Sequence, residues 1–219
     1  FLKNNYRIKF QRSNVSDTAD PLVHLDAWQR PELIYQLLHL VTKEVLVHYA
    51  DTVKLALCFN PKARIFLEFG CATAPFTMSF FEFFKPARTS LFYMSDIQTL
   101  AFHYGAFRFR RCENVMPLLL HPENGFRLML NKKTDVIFCL AVFEHLNSPL
   151  ETVREFLQSL NKGGILVFDY IKSEGGGLDT AHGVRQRGDV LKFIGENFNV
   201  LYGRLTPETS MGLTIVRKR

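Results

Sequence analysis

Ala63-Arg64-Ile65-Phe66-Leu67-Glu68-Phe69-Gly70-Cys71-Ala72-Thr73-Ala74-Pro75-Phe76 is the stretch that decides the fold. Ile65 to Leu67 read as an apolar strand, followed by the acidic Glu68, a turn of small residues, and a helix opening at Pro75. A tight strand-to-helix turn of small residues lets backbone come close to a ligand. The first helical turn beyond it is expected to offer unsatisfied N–H groups and a partial positive charge. Nucleotide-type ligands sit at such a turn in doubly wound α/β folds. Alanine resists positive φ, so Ala72 and Ala74 are expected to keep ordinary backbone conformations.

Downstream, Phe76 to Phe84 is apolar nearly all round, as for a helix packed between a sheet and its neighbours, and Lys85-Pro86 stops it. Ser90 to Ile97 reads as a second strand ending in Asp96, and the separation from Gly70 suits one strand–helix–strand unit. A carboxylate there can accept from the vicinal hydroxyls of a ribose; an exposed loop aspartate is the alternative. A helix over 98–105 and a third strand around Ala106-Phe107-Arg108-Phe109 are predicted next.

The second informative block runs from Thr134 to Gly164. Asp135 opens an apolar strand, Phe143-Glu144-His145-Leu146 follows, and Leu150, Val153, Phe156, Leu157 and Leu160 fit the 3.6-residue period of a helix. Asn161-Lys162-Gly163-Gly164 ends that helix, and Ile165 to Ile171 is a fifth strand. Arg187 to Glu196 reads as a last helix. Phe198–Tyr202 and Met211–Val216 read as closing strands joined by Leu205 to Ser210, short enough for a hairpin. Upstream, a short strand at Tyr6–Phe10 and a helical run from Pro31, with Leu33, Ile34, Leu37, Leu38, Val41, Val45, Leu46 and Tyr49 on one face, precede the break at Asn60-Pro61.

Glu68-x-Gly70-x-Ala72-x-Ala74 resembles the first motif of the class I S-adenosylmethionine-dependent methyltransferases, with alanine at two of three glycine positions. The Phe143-Glu144-His145-Leu146 segment, the amphipathic helix and Lys162-Gly163-Gly164 are similar to the small-molecule branch of that family, the Glu-His-Leu subgroup. The resemblance covers roughly residues 60–219 and implies a Rossmann-like α/β fold. Its sheet would be seven-stranded and mostly parallel, with helices on both faces and a C-terminal antiparallel hairpin. Residues 1–59 would form a helical cap or lid, with Trp28 a candidate cleft residue.

The same resemblance implies S-adenosyl-L-methionine as cofactor. Glu68, Gly70, Cys71, Ala72, Thr73 and Ala74 would shape the floor under its methionine and ribose, Asp96 with Ile97 the ribose site, and Leu140 with Ala141 the surroundings of the sulfonium. Arg111 to Leu118 occupies the place of the second motif and matches it loosely: Cys112 falls at the usual acidic position with Glu113 beside it, and Glu113 or a backbone contact would border the adenine. His145, Tyr170 and His182 are the candidate bases; for His145 a structural hydrogen bond is the competing reading. Ser173 to Asp179, with three consecutive glycines, reads as a mobile gate or a plain linker.

Composition bounds the rest. A chain of 219 residues with 47% hydrophobic and 22% charged residues suits one globular domain and argues against disorder. Its 21 phenylalanines imply an aromatic core, or a greasy substrate cleft. Four cysteines without a C-x-x-C pair argue against a zinc site or disulfide framework, and no metal is expected. Reduced thiols, no apolar run of membrane-spanning length and no secretory signal lead to a cytoplasmic expectation. The first residue is Phe, so a shortened chain or one domain of a longer protein is expected.

The net charge of +6 allows nucleic acid, but apart from Arg108–Arg111 and Arg217–Arg219 the basic residues are scattered, so a solvated face is the default. The functional expectation is methyl transfer to a small-molecule acceptor (aromatic, lipid or natural product in kind). RNA methylation is the alternative raised by the charge. A non-catalytic binding domain is the alternative raised by the missing glycines.

Overall fold

A computed structural model describes residues 39–121, 124–172 and 179–219. The strand expected at 6–10, Trp28, the helix expected from Pro31 to residue 38 and the glycines at 175–177 lie outside the described residues.

Alternation along each strand builds the two cores. In β1 (Ile65–Phe69), Phe66 packs into one core while Leu67 and Phe69 pack into the other. The same parity holds in β2 (Leu91–Ile97), β4 (Thr134–Cys139) and β5 (Leu160–Tyr170), where Phe92, Phe138 and Val167 share the face of Phe66, and Tyr93, Ile137 and Phe168 the face of Leu67. Strands covered on both faces read as unbroken apolar runs, which is how they look in the sequence. With β3 (Val115–Leu120), β6 (Phe198–Tyr202) and β7 (Met211–Lys218), they form a seven-stranded sheet of order β3-β2-β1-β4-β5-β7-β6. The first five strands are parallel, and β7 runs antiparallel to both β5 and β6.

Helices α1 (Lys43–Phe59), α2 (Pro75–Ser79, continued by a π-helical turn over Phe80–Phe84) and α3 (Leu100–Arg108) cover the Phe66 face. Aromatic packing dominates that core: Phe66 stacks on its β2 partner Phe92 at 5.0 Å, and Phe76 stacks on Phe138 at 4.6 Å. Helices α4 (Pro149–Ser159) and α6 (Arg187–Asn197) cover the other face through Val153, Phe156, Val190 and Ile194, with the short α5 (Ala181–Arg185) before α6. No helix among the described residues is long and apolar enough to cross a membrane.

Two expectations need correction. The third strand is not Ala106–Phe109, which belongs to α3 and the turn after it, but Val115–Leu120. The alternation of Phe107, Arg108 and Phe109 mimics a strand, yet Thr99 Oγ1 caps the Phe102 N–H at 3.1 Å and Phe102, Gly105 and Phe109 bury a helical face. Lys162-Gly163-Gly164 is not a loop before the fifth strand but an irregularity inside β5, where the pairing jumps from Thr134–Leu160 to Val136–Ile165 and Gly163 takes φ +75°. Asp135 braces this end of the sheet. It accepts from the Arg64 and Ile65 N–H groups at 2.8 and 2.9 Å and from Asn161 Nδ2 at 2.8 Å.

Candidate active site

The same parity that builds the cores sets three acids on one face at the tops of the strands. Glu68 in β1 pairs with Met94 of β2 and Phe138 of β4, and Phe138 pairs with Val167 of β5. Asp96 and Asp169 therefore stand two residues higher, level with each other and three strand spacings apart, about 14 Å. A cavity of about 600 Å³ opens over these strand ends, and Glu68, Asp96 and Asp169 all line it.

Glu68 is 4% exposed and faces α2, not open space. Its carboxylate accepts from the Phe76 N–H at 3.0 Å, the Thr77 N–H at 2.8 Å and the Thr77 hydroxyl at 2.7 Å. Pro75 at the helix start has no N–H to give. The expected free donors at the helix start are therefore already taken, and the turn is plugged by an internal anion. Such a turn does not await a pyrophosphate. Burial pushes the Glu68 carboxyl up to about 7 against the pull of those hydrogen bonds.

The turn itself is left-handed at three points: Gly70 at φ +66°, Ala72 at +45° and Ala74 at +59°. The alanines do not keep ordinary conformations; they take the glycine-like backbone without the glycine. Asp96 fixes the turn from the side, with Oδ2 accepting from the Ala72 N–H at 2.6 Å while Oδ1 accepts from the Ile97 N–H at 2.7 Å. Gly70 has no substitute, because a Cβ there would meet Val142 Cγ2 at 2.4 Å. On β5, Asp169 Oδ1 accepts from the N–H of Ala141, a third alanine at positive φ, at 2.6 Å. Burial raises both Asp96 and Asp169 to about 6.

The Phe143–His145 turn after β4 is docked on the segment before α5. Thr180 donates its N–H to the Glu144 carbonyl at 2.9 Å and its hydroxyl to the Leu146 carbonyl at 2.7 Å. A Cβ on Gly183 would reach the Glu144 carbonyl at 2.4 Å, so only glycine lets α5 approach so closely. His145 lines the cavity, with Nδ1 3.6 Å from Asp179 Oδ1 and Nε2 3.9 Å from Glu144 Oε1.

Of the residues expected from sequence, Glu68, Gly70, Cys71, Ala72, Asp96, Ile97, Leu140, Ala141 and His145 gather around the cavity. Thr73 and Ala74 are fully buried beneath it. Cys112 and Glu113 do not reach it, since they precede β3 and so lie at the opposite end of the sheet from Asp96. The end of β3 that does border the cavity is Leu120. Tyr170 is buried against Phe143 and donates its hydroxyl to the Gly183 carbonyl, and His182 lies on α5; neither lines the cavity.

Sequence reasoning missed Asp169, although it stands at the end of an apolar strand just as Asp96 does. It expected a helical cap from the segment that holds α1 but did not single out His48, Tyr49 and Thr52, which face the cavity; nothing local marks Tyr49 as more than one apolar position on a helix. Tyr49 packs edge-on against Phe76 at 4.8 Å, and burial, with the charges of Glu68 and Asp169, raises its hydroxyl to about 12.

An adenosyl group without phosphates fits these residues. Asp96 offers carboxylate lone pairs at the rim, the Gly70–Ala72 backbone lines the floor, and the anion-binding helix start is occupied by Glu68. A model of the methyltransferase domain matches residues 42–197. The chain belongs to the methyltransferase-domain family. It is an enzyme of the S-adenosylmethionine-dependent kind, with that molecule as its cofactor.

The fold agrees with solved methyltransferases. The N-methyltransferase NodS from Bradyrhizobium japonicum WM9, in complex with S-adenosyl-L-homocysteine, superposes with a TM-score of 0.58 at 16% identity, over 81% of this chain and 89% of that one. An O-methyltransferase from Bacillus cereus, also with that ligand, gives 0.58 at 12% identity over 100% of both chains. Cofactor-bound Rv0187 from MTB gives 0.59 at 14% identity, over 98% of this chain and 96% of that one. Among curated proteins, a tRNA U34 carboxymethyltransferase of Helicobacter hepaticus is 51% identical over 39 residues, which is 18% of this chain and 12% of the relative.

Proposed function

We propose that this methyltransferase acts on a small molecule, bound in the cavity over the ends of β1, β2, β4 and β5. The observation that carries this reading is charge placement. No lysine or arginine is found among the described residues lining the cavity. Instead Lys62 and Arg64 precede β1, Arg88 precedes β2, Arg110 and Arg111 precede β3, Lys132 and Lys133 precede β4, and Arg217 to Arg219 close antiparallel β7 at the same end. A nucleic acid held by that basic edge would sit at the far end of the sheet from the cavity, unable to present a base to it. The walls, meanwhile, are largely apolar: Tyr49, Phe69, Phe76, Phe126, Phe138 and Leu140.

Bound cofactor supplies an electrophilic methyl group, so the chain's task is to hold, orient and deprotonate the acceptor. Asp96 holds the ribose hydroxyls, Gly70 to Ala72 the methionine side, Leu120 and Phe126 the adenine, and Leu140 with Ala141 the centre. His145, backed by the Asp179 carboxylate, is the group placed to take a proton from the acceptor. The α1 segment serves as the cap, contributing His48, Tyr49 and Thr52 to the wall. Calorimetric titration with S-adenosyl-L-homocysteine, followed by mass spectrometry of small-molecule and RNA pools incubated with enzyme and cofactor, tests this. Methylated RNA with no methylated small molecule would refute it.

A further inference from the structure

The cavity is short of positive charge. Glu155 has Arg127 at 4.0 Å and Glu151 is bonded to Arg154, so the two acids on α4 are compensated outside the cavity. Glu68, Asp96 and Asp169 have no ion-pair partner among the described residues; each is held by N–H or hydroxyl donors instead. The cofactor carries an ammonium and a sulfonium against one carboxylate, a net single positive charge. Three carboxylates set against that leave negative charge in excess, inside apolar walls that oppose it.

Asp169 is the acid left over. Asp96 stands at the ribose end, and Asp169 stands level with it on β5, about 14 Å away across three strand spacings. Between them lie Phe138 of β4 and Leu140 and Ala141 just after it, and Tyr49 and Phe76 close the side toward α1. We propose, resting on the methyltransferase reading of this cavity, that the acceptor is a small amine with an apolar body, cationic at neutral pH, and that Asp169 is the carboxylate that docks it. The ammonium gives its proton to His145, the free amine then takes the methyl group, and S-adenosyl-L-homocysteine leaves. The apolar body packs on the Tyr49, Phe76 and Phe138 rings, whose faces also favour a nearby cation. An acceptor bearing a carboxylate or phosphate would meet Asp169 with no counter-ion, so the same charge that selects the amine rejects the anion. Burial raises the Asp169 carboxyl to about 6, and a cation docked beside it would offset that cost.

Three probes of one shape separate the charges: phenethylamine, 2-phenylethanol and phenylacetate, each titrated into protein saturated with S-adenosyl-L-homocysteine. Phenethylamine is expected to bind at least about tenfold more tightly than the alcohol, and phenylacetate more weakly than either. Asp169→Asn can still accept from the Ala141 N–H; it is expected to bring the amine down to the level of the alcohol and to change S-adenosyl-L-homocysteine affinity by less than about threefold. Failure of S-adenosyl-L-homocysteine to bind removes the methyltransferase reading, and this proposal with it. Normal binding of that ligand with the amine no better than the alcohol, or with phenylacetate preferred, overturns the acceptor class alone. Silence from phenethylamine, tryptamine, histamine and spermidine together also overturns it. So does an Asp169→Asn variant that loses S-adenosyl-L-homocysteine while keeping the amine, since Asp169 would then serve the cofactor.

Discussion

Glu68 and Glu144 are both buried glutamates near the tops of neighbouring strands, one on β1 and one just beyond β4, and they live in opposite circumstances. Glu68 has three donors within 3.0 Å, two backbone and one hydroxyl. Glu144 is 2% exposed, and its Oε2 has no hydrogen-bond partner among the described residues. The Arg187 guanidinium, which acts on Glu144 through its charge, is buried too but directs its donors to the carbonyls of Tyr170, Thr206, Pro207 and Thr209. Burial, with the charges of Asp169 and Asp179 adding and Arg187 opposing, lifts Glu144 to about 8. One carboxylate therefore builds its turn, while the other is carried by a turn whose backbone is held by Thr180. The difference is one of donors, since the burial is much the same.

The sharpest way to break that contrast is to delete Glu68. Glu68→Ala leaves the Phe76 and Thr77 N–H groups and the Thr77 hydroxyl without their acceptor in a buried place. A loss of about 3–5 kcal/mol is expected, from about 1–3 kcal/mol per orphaned donor with partial relaxation. Urea denaturation at pH 7 reads it, and a loss under about 1 kcal/mol would mean that the helix start is satisfied in some other way.

Glu144→Gln is expected to act with the opposite sign, and only at higher pH. A carboxyl raised from 4.5 to about 8 is neutral in folded and unfolded chains below about 4.5, so no penalty exists there. As pH rises through this range the unfolded chain ionises first, and the folded state loses ground until about pH 8. Each tenfold difference in proton affinity between the two states corresponds to about 1.4 kcal/mol, of which relaxation removes a large part. Glu144→Gln should therefore gain about 2 kcal/mol over wild type at pH 8.5 and almost nothing at pH 4.5. Glu68, Asp96 and Asp169 lower stability in both proteins over the same range, so the difference between the two denaturation series isolates Glu144. A pH-independent difference would mean that Glu144 is ionised and compensated.

Much of this is readable in the residues, and the parts that are not have physical reasons. Most strands along the chain, the closing hairpin and the position of Asp96 follow from apolar runs bounded by acids and turns; the seven-stranded, mostly parallel sheet follows from the family resemblance. The third strand is misplaced from sequence because Phe107-Arg108-Phe109 alternates like a strand while its neighbours bury a helical stripe. That slip also puts Cys112 and Glu113 forward, which lie at the end of β3 away from the cavity. Asp169 obeys the same strand-end signal as Asp96. Its partner, the N–H of a left-handed Ala141, depends on backbone conformation that alanine does not announce. Glu68 is legible as a residue of the cavity floor, but its grip on the helix start is not: that distance is set by the turn, which only the folded chain reveals.

The smallest expected effect bears on the turn that Glu68 holds. Ala72 and Ala74 stand at φ +45° and +59°, where an L-residue bears a strain of about 1–2 kcal/mol that glycine does not. They stay there because neighbours over-determine them: Asp96 grips the Ala72 N–H at 2.6 Å, and the Cys71 carbonyl takes the Ala74 N–H at 2.6 Å. Replacing either with glycine removes the strain but loosens the unfolded chain by about 0.4–1 kcal/mol. The net for Ala72→Gly or Ala74→Gly is therefore a gain of about 0.5–1 kcal/mol, with S-adenosyl-L-homocysteine affinity unchanged because the backbone already has the glycine shape. A loss of stability in both variants would show that these alanine methyl groups pack well enough to outweigh their strain. Ala74, fully buried beneath the cavity, is the position where that would appear first.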